Sequence, residues 1–124
     1  MTWQFWLASY ATYLGLEGIF LGINPNLLRE GVAFLEQIDQ KLLHSMAIGF
    51  IGAGFLHLLL VIKLLPNFWL AVAGFCLISE GMMVAFLFDA IKKIVRQETK
   101  YLKKIAFFEA GTALFIIAAI RLTM

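Results

Sequence analysis

Four stretches of this chain stay apolar for about the 20 residues that a helix needs to cross a bilayer, and that limits what the chain can fold into. They run from about Trp3 to Asn24, Leu42 to Leu65, Asn67 to Ala90 and Lys104 to Thr123. Hydrophobic residues make up 62% of the 124 and charged residues 15%, with a mean hydropathy of +0.89. A soluble domain this small has too much surface for its volume to hide that apolar content, so lipid must cover much of it. The expectation is an all-α integral membrane protein, a single membrane domain folded as a four-helix bundle. No lysine or arginine precedes the first stretch, and its apolar length exceeds that of a signal core, so it is expected to be retained as a helix. Pro66 and Asn67 separate the second and third stretches, which predicts a tight hairpin.

The net charge of +2 is too small to imply nucleic-acid binding, and the placement of charge says more than the total. Eight of the ten lysines and arginines fall on one side. Arg29 and Lys41 lie in the first connection; Lys92, Lys93, Arg96, Lys100, Lys103 and Lys104 lie in the third. Only Lys63 and Arg121 fall opposite. The positive-inside rule then predicts a cytoplasmic basic loop and both termini outside. Trp3, Trp6, Phe68 and Trp69 fall at the predicted outer ends, where interfacial aromatic anchors belong.

The connection from Pro25 to Lys41 carries its own signal. A proline after Asn24 ends one helix and starts another, because it lacks the amide hydrogen a helix interior uses. Leu28, Val32, Leu35 and Ile38 then recur at helical spacing among charged residues. A short amphipathic helix at the membrane surface is one reading and a solvated loop the other.

Two segments of the chain match one another at an offset of 63 residues. Phe5-Trp6-Leu7-Ala8 returns as Phe68-Trp69-Leu70-Ala71, Leu14 as Leu77, and Glu17-Gly18 as Glu80-Gly81. Ala53-Gly54 resembles Ala110-Gly111 at an offset of 57. Self-similarity of this kind predicts two tandem two-helix repeats, about 3–65 and about 67–123, related by an axis along the membrane normal.

At these residues the chain resembles the YjeT-like family of small bacterial inner-membrane proteins. That pattern is a tryptophan-led helix ending in Leu-Glu-Gly, a proline loop with basic residues, and a glycine-rich second helix. Leu16-Glu17-Gly18, Pro25, Arg29 and the run Gly49 to Gly54 carry the resemblance, which covers about Trp3 to Lys63. In the second half Ser79-Glu80-Gly81 matches in part, without the loop proline and with Asp89 added. The resemblance implies a bacterial inner-membrane location and no particular activity.

Three carboxylates fall inside apolar stretches. Glu17, Glu80 and Glu109 lie roughly 10, 15 and 8 Å from the predicted cytoplasmic helix ends, in one half of the bilayer. A charge at mid-membrane costs about 2.5–3.5 kcal/mol on insertion scales, so these residues should face protein, protonated or paired. One reading makes them a proton or cation site; the other makes them hydrogen-bonded links between helices. Glu109 has a further option in pairing with Lys103 or Lys104. His57 shares a stripe with Gly49 and Ala53 and is expected to face a helix, completing an intramembrane polar cluster with the glutamates. Gly18, Gly22 and Gly81 are expected at packing faces. Cys76, the single cysteine, is expected to be a small buried hydrophobe, and Met82 and Met83 to pack rather than bind metal.

No nucleophile–base pair, phosphate loop or metal-ligand spacing appears, so neither an enzyme nor a metal site is expected. No cofactor is expected either; haem through His44 or His57 is the alternative, and the chain has no other histidine to supply a second ligand. The leading reading is a non-enzymatic accessory or scaffold subunit of a larger inner-membrane assembly, partnered by lipid and by other membrane subunits or itself. The second is a small proton- or cation-coupled carrier or channel, acting as a homo-oligomer through Glu17, Glu80 and Glu109.

Overall fold

The computed structural model describes residues 2–64, 66–96 and 99–123. Every element is helical: α1 (Trp3–Ile23), α2 (Pro25–Glu36), α3 (Gln40–Lys63), α4 (Phe68–Phe86), α5 (Phe88–Val95) and α6 (Thr99–Thr123). Three of these, α3, α4 and α6, are long and apolar enough to cross a membrane, and the chain is a membrane protein. The expected four-helix bundle of two two-helix repeats, with both termini outside, is thereby corrected. α1 has 21 residues, but Gln4, Ser9, Thr12, Tyr13 and Glu17 dilute its apolar character, and it falls outside the set of candidate spans. The expected end of the second stretch at Leu65 lies outside the described residues.

The capping explains the boundaries. Thr2 accepts a hydrogen bond from the Phe5 amide at the start of α1, satisfying an amide that a helix start leaves free. Asn67 does this twice for α4, accepting from Trp69 and Leu70 at 2.9 and 3.3 Å. Asn24 closes α1 through its own amide and opens α2 through its side chain, with Pro25 at the first helical position. The amphipathic helix read from Leu28, Val32 and Leu35 is therefore present, ending at Glu36. The third apolar stretch does not continue to Ala90. The helix breaks at Leu87 (φ −121°, ψ 15°), and α5 starts afresh at Phe88. Asp89 in its first turn and Lys92 and Lys93 in its last suit the helix dipole.

The pairing of helices also departs from the repeat. The long helices form a row: α3 packs on α4, α4 on α1, and α1 on α6. Sequence neighbours α1 and α3 do not form a packed pair, nor do α4 and α6, among the described residues. The buried residues of α3 are Leu43, Ala47, Gly54 and Val61. Those of α6 are Leu102, Ala106, Ala113 and Ile120. Both series step by 4, 7 and 7, a stripe of helical period. This register aligns Gly54 with Ala113 rather than with Gly111, so the 57-residue offset is replaced by one of 59.

The outermost crossings are close. A Cβ on Gly81 would stand 2.7 Å from the Ala47 carbonyl oxygen and 3.1 Å from the Ile51 amide. A Cβ on Gly18 would stand 2.9 Å from the Ala106 carbonyl oxygen and 3.0 Å from the Ala110 amide. Small residues permit such approach where lipid supplies no hydrophobic drive between helices. Gly54 meets Gly74 in the same way. Gly22 makes an ordinary contact with Ala106, whereas Gly49 has nothing beside it and is exposed. The packing stripe of α3 thus runs through Ala47 and Gly54, not through Gly49 and His57. The glycine run misleads because it supplies small residues on more than one face.

Candidate functional site

Between the close crossings lies the α1–α4 contact, and it is divided along its length. Toward the start of both helices it is filled by rings. Phe5 packs edge-on against Phe68 at 6.1 Å, Trp6 against Phe75 at 6.2 Å, and Tyr10 against Phe75 at 5.6 Å. Edge-to-face geometry at these spacings is the favoured one for aromatic pairs. Farther along, the contact opens into a cavity of about 630 Å³ bounded by α1, α2, α4, α5 and α6.

Glu17, Glu80 and Glu109 all line this cavity. Glu17 and Glu80 each lie six residues before the last residue of their helices, about 9 Å along the axis, and Glu109 lies about 15 Å into α6. The depths differ from those read off the sequence because α4 ends earlier and α6 starts earlier than the apolar runs. Glu80 and Glu109 fall within candidate membrane spans. The Tyr13 hydroxyl donates to Glu80 Oε1 at 3.0 Å, joining α1 to α4. One carboxylate oxygen of Glu17 and one of Glu109 are buried without a hydrogen-bond partner. Glu109 turns toward α1, where its Cβ is the neighbour nearest Gly18 after the backbone. It does not turn to Lys103 or Lys104, which are both exposed.

Among the described residues the rest of the lining is apolar apart from Asn24, Tyr13 and Cys76, and no lysine or arginine contributes. Buried polar atoms without partners are uncommon in folded proteins and call for an explanation. Here the orphaned atoms are acidic, and each is a buried oxygen on a residue that lines the cavity.

His57 does not join the glutamates. Its Nδ1–H donates to the Ala53 carbonyl of its own helix at 2.7 Å, and it lies outside this cavity. Ala53 is half-buried. The expected cluster of four is therefore a cluster of three. His44 is exposed and borders a smaller cavity of about 380 Å³ with Glu36, Asp89 and Lys92. No group of three or more metal-ligating side chains occurs among the described residues.

Two residues of the site were missed in the sequence. Tyr13 stands one turn before Glu17, on the same helical face, a spacing that could have found it. Cys76 stands one turn before Glu80 in the same manner, and it lines the cavity half-buried rather than being sealed in a core. Arg29 also acts structurally. Its Nε donates to the Val95 carbonyl at 3.0 Å and its Nη1 to Asn26 Oδ1 at 3.2 Å, tying α2 to the end of α5 across the cavity's end. The basic residues of the third connection lie on helices rather than on a loop. Lys92 and Lys93 are on α5, and Lys100, Lys103 and Lys104 on α6, with Arg96 just past α5. Lys92 pairs with Asp89 at 3.2 Å and lies over the Phe88 ring.

Compared with known protein families, curated proteins and solved structures, the chain matches none.

Proposed function

We propose that the protein is a small cation-binding carrier or channel of the membrane, using Glu17, Glu80 and Glu109 as its binding groups. The observation that carries this reading is the convergence of three carboxylates from three helices on one largely apolar cavity. Ionisable side chains inside membrane helices are costly and mark ion or substrate pathways. Linking helices by hydrogen bonds accounts for Glu80, through Tyr13. It does not account for the unpartnered oxygens of Glu17 and Glu109.

The basic end formed by Lys92, Lys93, Arg96, Lys100, Lys103 and Lys104 is assigned to the cytoplasmic face. The resemblance to YjeT-like proteins supports a bacterial inner membrane as the location. The accessory-subunit reading draws on a separate observation: the chain is small, 124 residues, and three of its helices are candidate membrane spans. Under that reading, native purification recovers a defined larger partner.

The test of the carrier reading is flux in liposomes. Purified protein should move protons or monovalent cations across the bilayer, and replacing Glu17 and Glu80 with Gln should abolish that movement. A parent protein that moves nothing, or a double variant with undiminished flux, overturns it.

A further inference from the structure

The large cavity follows the helix axes. Val72, Cys76, Glu80 and Val84 line it from one face of α4 in steps of four, a path of about 18 Å at the rise of an α-helix. Half of a bilayer's hydrocarbon core is roughly 15 Å deep. The space is therefore about one leaflet deep, and its volume of about 630 Å³ suits a small-molecule site. Its wall is largely apolar, with Leu28, Ile91 and Ile105 contributing from α2, α5 and α6. The unpartnered oxygens of Glu17 and Glu109 are buried and add no polar surface to it. Glu80 has one oxygen engaged by the Tyr13 hydroxyl. Phe20 of α1 and Leu27 of α2 line the cavity while standing 64% and 53% exposed, so it communicates with the protein surface there.

Cations gather at the α5 end of this space. Leu102 and Ile105 of α6 line it, and Lys103 and Lys104 stand between them in the chain, exposed. Ile91 and Ile94 of α5 line it too, with Lys93 exposed between them. Lys92 is already occupied, by Asp89 and by the Phe88 ring. Lys93, Lys103 and Lys104 have no ion pair among the described residues. Their stems can lie along apolar surface while the ammonium groups stay at the interface.

Basic pockets between membrane helices bind the head groups of anionic lipids. We infer that the cavity is a site for an anionic phospholipid. One acyl chain lies along α4 from Val84 toward Val72, and the lipid phosphate is held at the α5 end by Lys93, Lys103 and Lys104. Apolar depth alone would admit any lipid, and positive charge alone would attract any anion. Their coincidence at one place selects a lipid that carries both. This inference goes beyond the carrier reading and is independent of ion movement.

The experiment is native mass spectrometry of the full chain in non-ionic detergent. The probes are dioleoylphosphatidylglycerol, dioleoylphosphatidylcholine with the same chains, and glycerol 1-phosphate, which has the charge without the chains. Phosphatidylglycerol should bind one molecule per chain, about tenfold or more tighter than phosphatidylcholine. Glycerol 1-phosphate should not bind. Replacing Lys103 and Lys104 together with Gln should weaken phosphatidylglycerol about 25-fold, about fivefold per lysine, and leave phosphatidylcholine unchanged. Leu28→Trp, which narrows the cavity and leaves every lysine in place, should weaken it about tenfold. Ile91→Trp narrows the cavity from α5 and serves if the first variant fails to fold.

Equal binding of the two lipids overturns the inference. So does phosphatidylglycerol binding that both tryptophan variants leave unchanged, since the lysines would then be a surface that attracts anionic lipid without a cavity. Glycerol 1-phosphate binding as tightly as the lipid overturns it as well, by assigning the cations to a free phosphate. Phosphatidylglycerol binding that the lysine and tryptophan variants both weaken supports it, whether or not the protein moves ions.

Discussion

Gly81 of α4 and Gly18 of α1 each lie against the backbone of a partner helix, Ala47 and Ile51 in the first case, Ala106 and Ala110 in the second. Two turns away the two crossings part company. In α3·α4 a glycine of one helix meets a glycine of the other, Gly54 against Gly74, and a Cβ on Gly54 would stand 2.7 Å from the Gly74 carbonyl oxygen. In α1·α6 the corresponding residues are Ala113 and Ala11, both buried, and Gly15 has 3.5 Å of room. Three residues after Ala106 comes Glu109, and three residues after Ala47 comes Phe50, which is exposed. The same geometry thus serves two ends. The α3·α4 crossing is all contact, while α1·α6 gives up some closeness and carries an extra carboxylate facing the cavity. Glu17 and Glu80 recur beside their glycines, whereas Glu109 has no counterpart in the other crossing.

Substitutions can break that comparison, beginning with the crossings themselves. Gly54→Leu forces a side chain into backbone and should cost about 3 kcal/mol or more, and Gly18→Leu about 2 kcal/mol. Unfolding by SDS followed by circular dichroism ranks the two; a reversed order would show that α1·α6 is the tighter crossing. Glu109→Leu should leave stability unchanged or raise it by about 1 kcal/mol, because it removes a buried acceptor that has no partner. Cation binding should fall in the same variant, and a protein that is more stable yet still binds would assign Glu109 to structure. Tyr13→Phe deletes the hydrogen bond to Glu80, and such bonds between membrane helices average about 0.6 kcal/mol. At the small end, Gly49→Ala and Gly111→Ala meet open space, so each should gain about 0.5 kcal/mol from the lower backbone entropy of alanine. A loss at either position would reveal a contact on that face, as a second copy of the chain would provide.

The long helices were legible because apolar length is a property of the chain alone. So was the start of α2, where Asn24 and Pro25 write the boundary into adjacent residues. The break at Leu87 was not, since Leu87 and Phe88 are apolar and prolong the run without marking the change of direction. Partner choice was hidden for a different reason. Matching Glu-Gly steps show that two helices meet similar neighbours, but they do not name the neighbours. The next long helix in sequence, α3, proved to be the wrong one for α1. The glutamates were found as a trio because burial of charge is conspicuous. His57 was wrongly added to them because the glycines near it fall on several faces of α3, and only the steps of 4, 7 and 7 through Leu43, Ala47, Gly54 and Val61 identify the packed one.

The row order of the helices has a bearing on how the chain comes together during synthesis. α3 and α4 are consecutive long helices and can dock as soon as both have been made. α1 precedes α3 and α4, yet its largest contact is with α6, which follows them. Domains generally form from the N-terminus onward during synthesis, but here α1 must wait for α6. Until then Glu17 and the Gly18 face lack the surface that covers them. A nascent chain halted before α6 would present that acidic face to whatever insertion factor or lipid lies beside it. The cavity therefore forms only after α6 has been made.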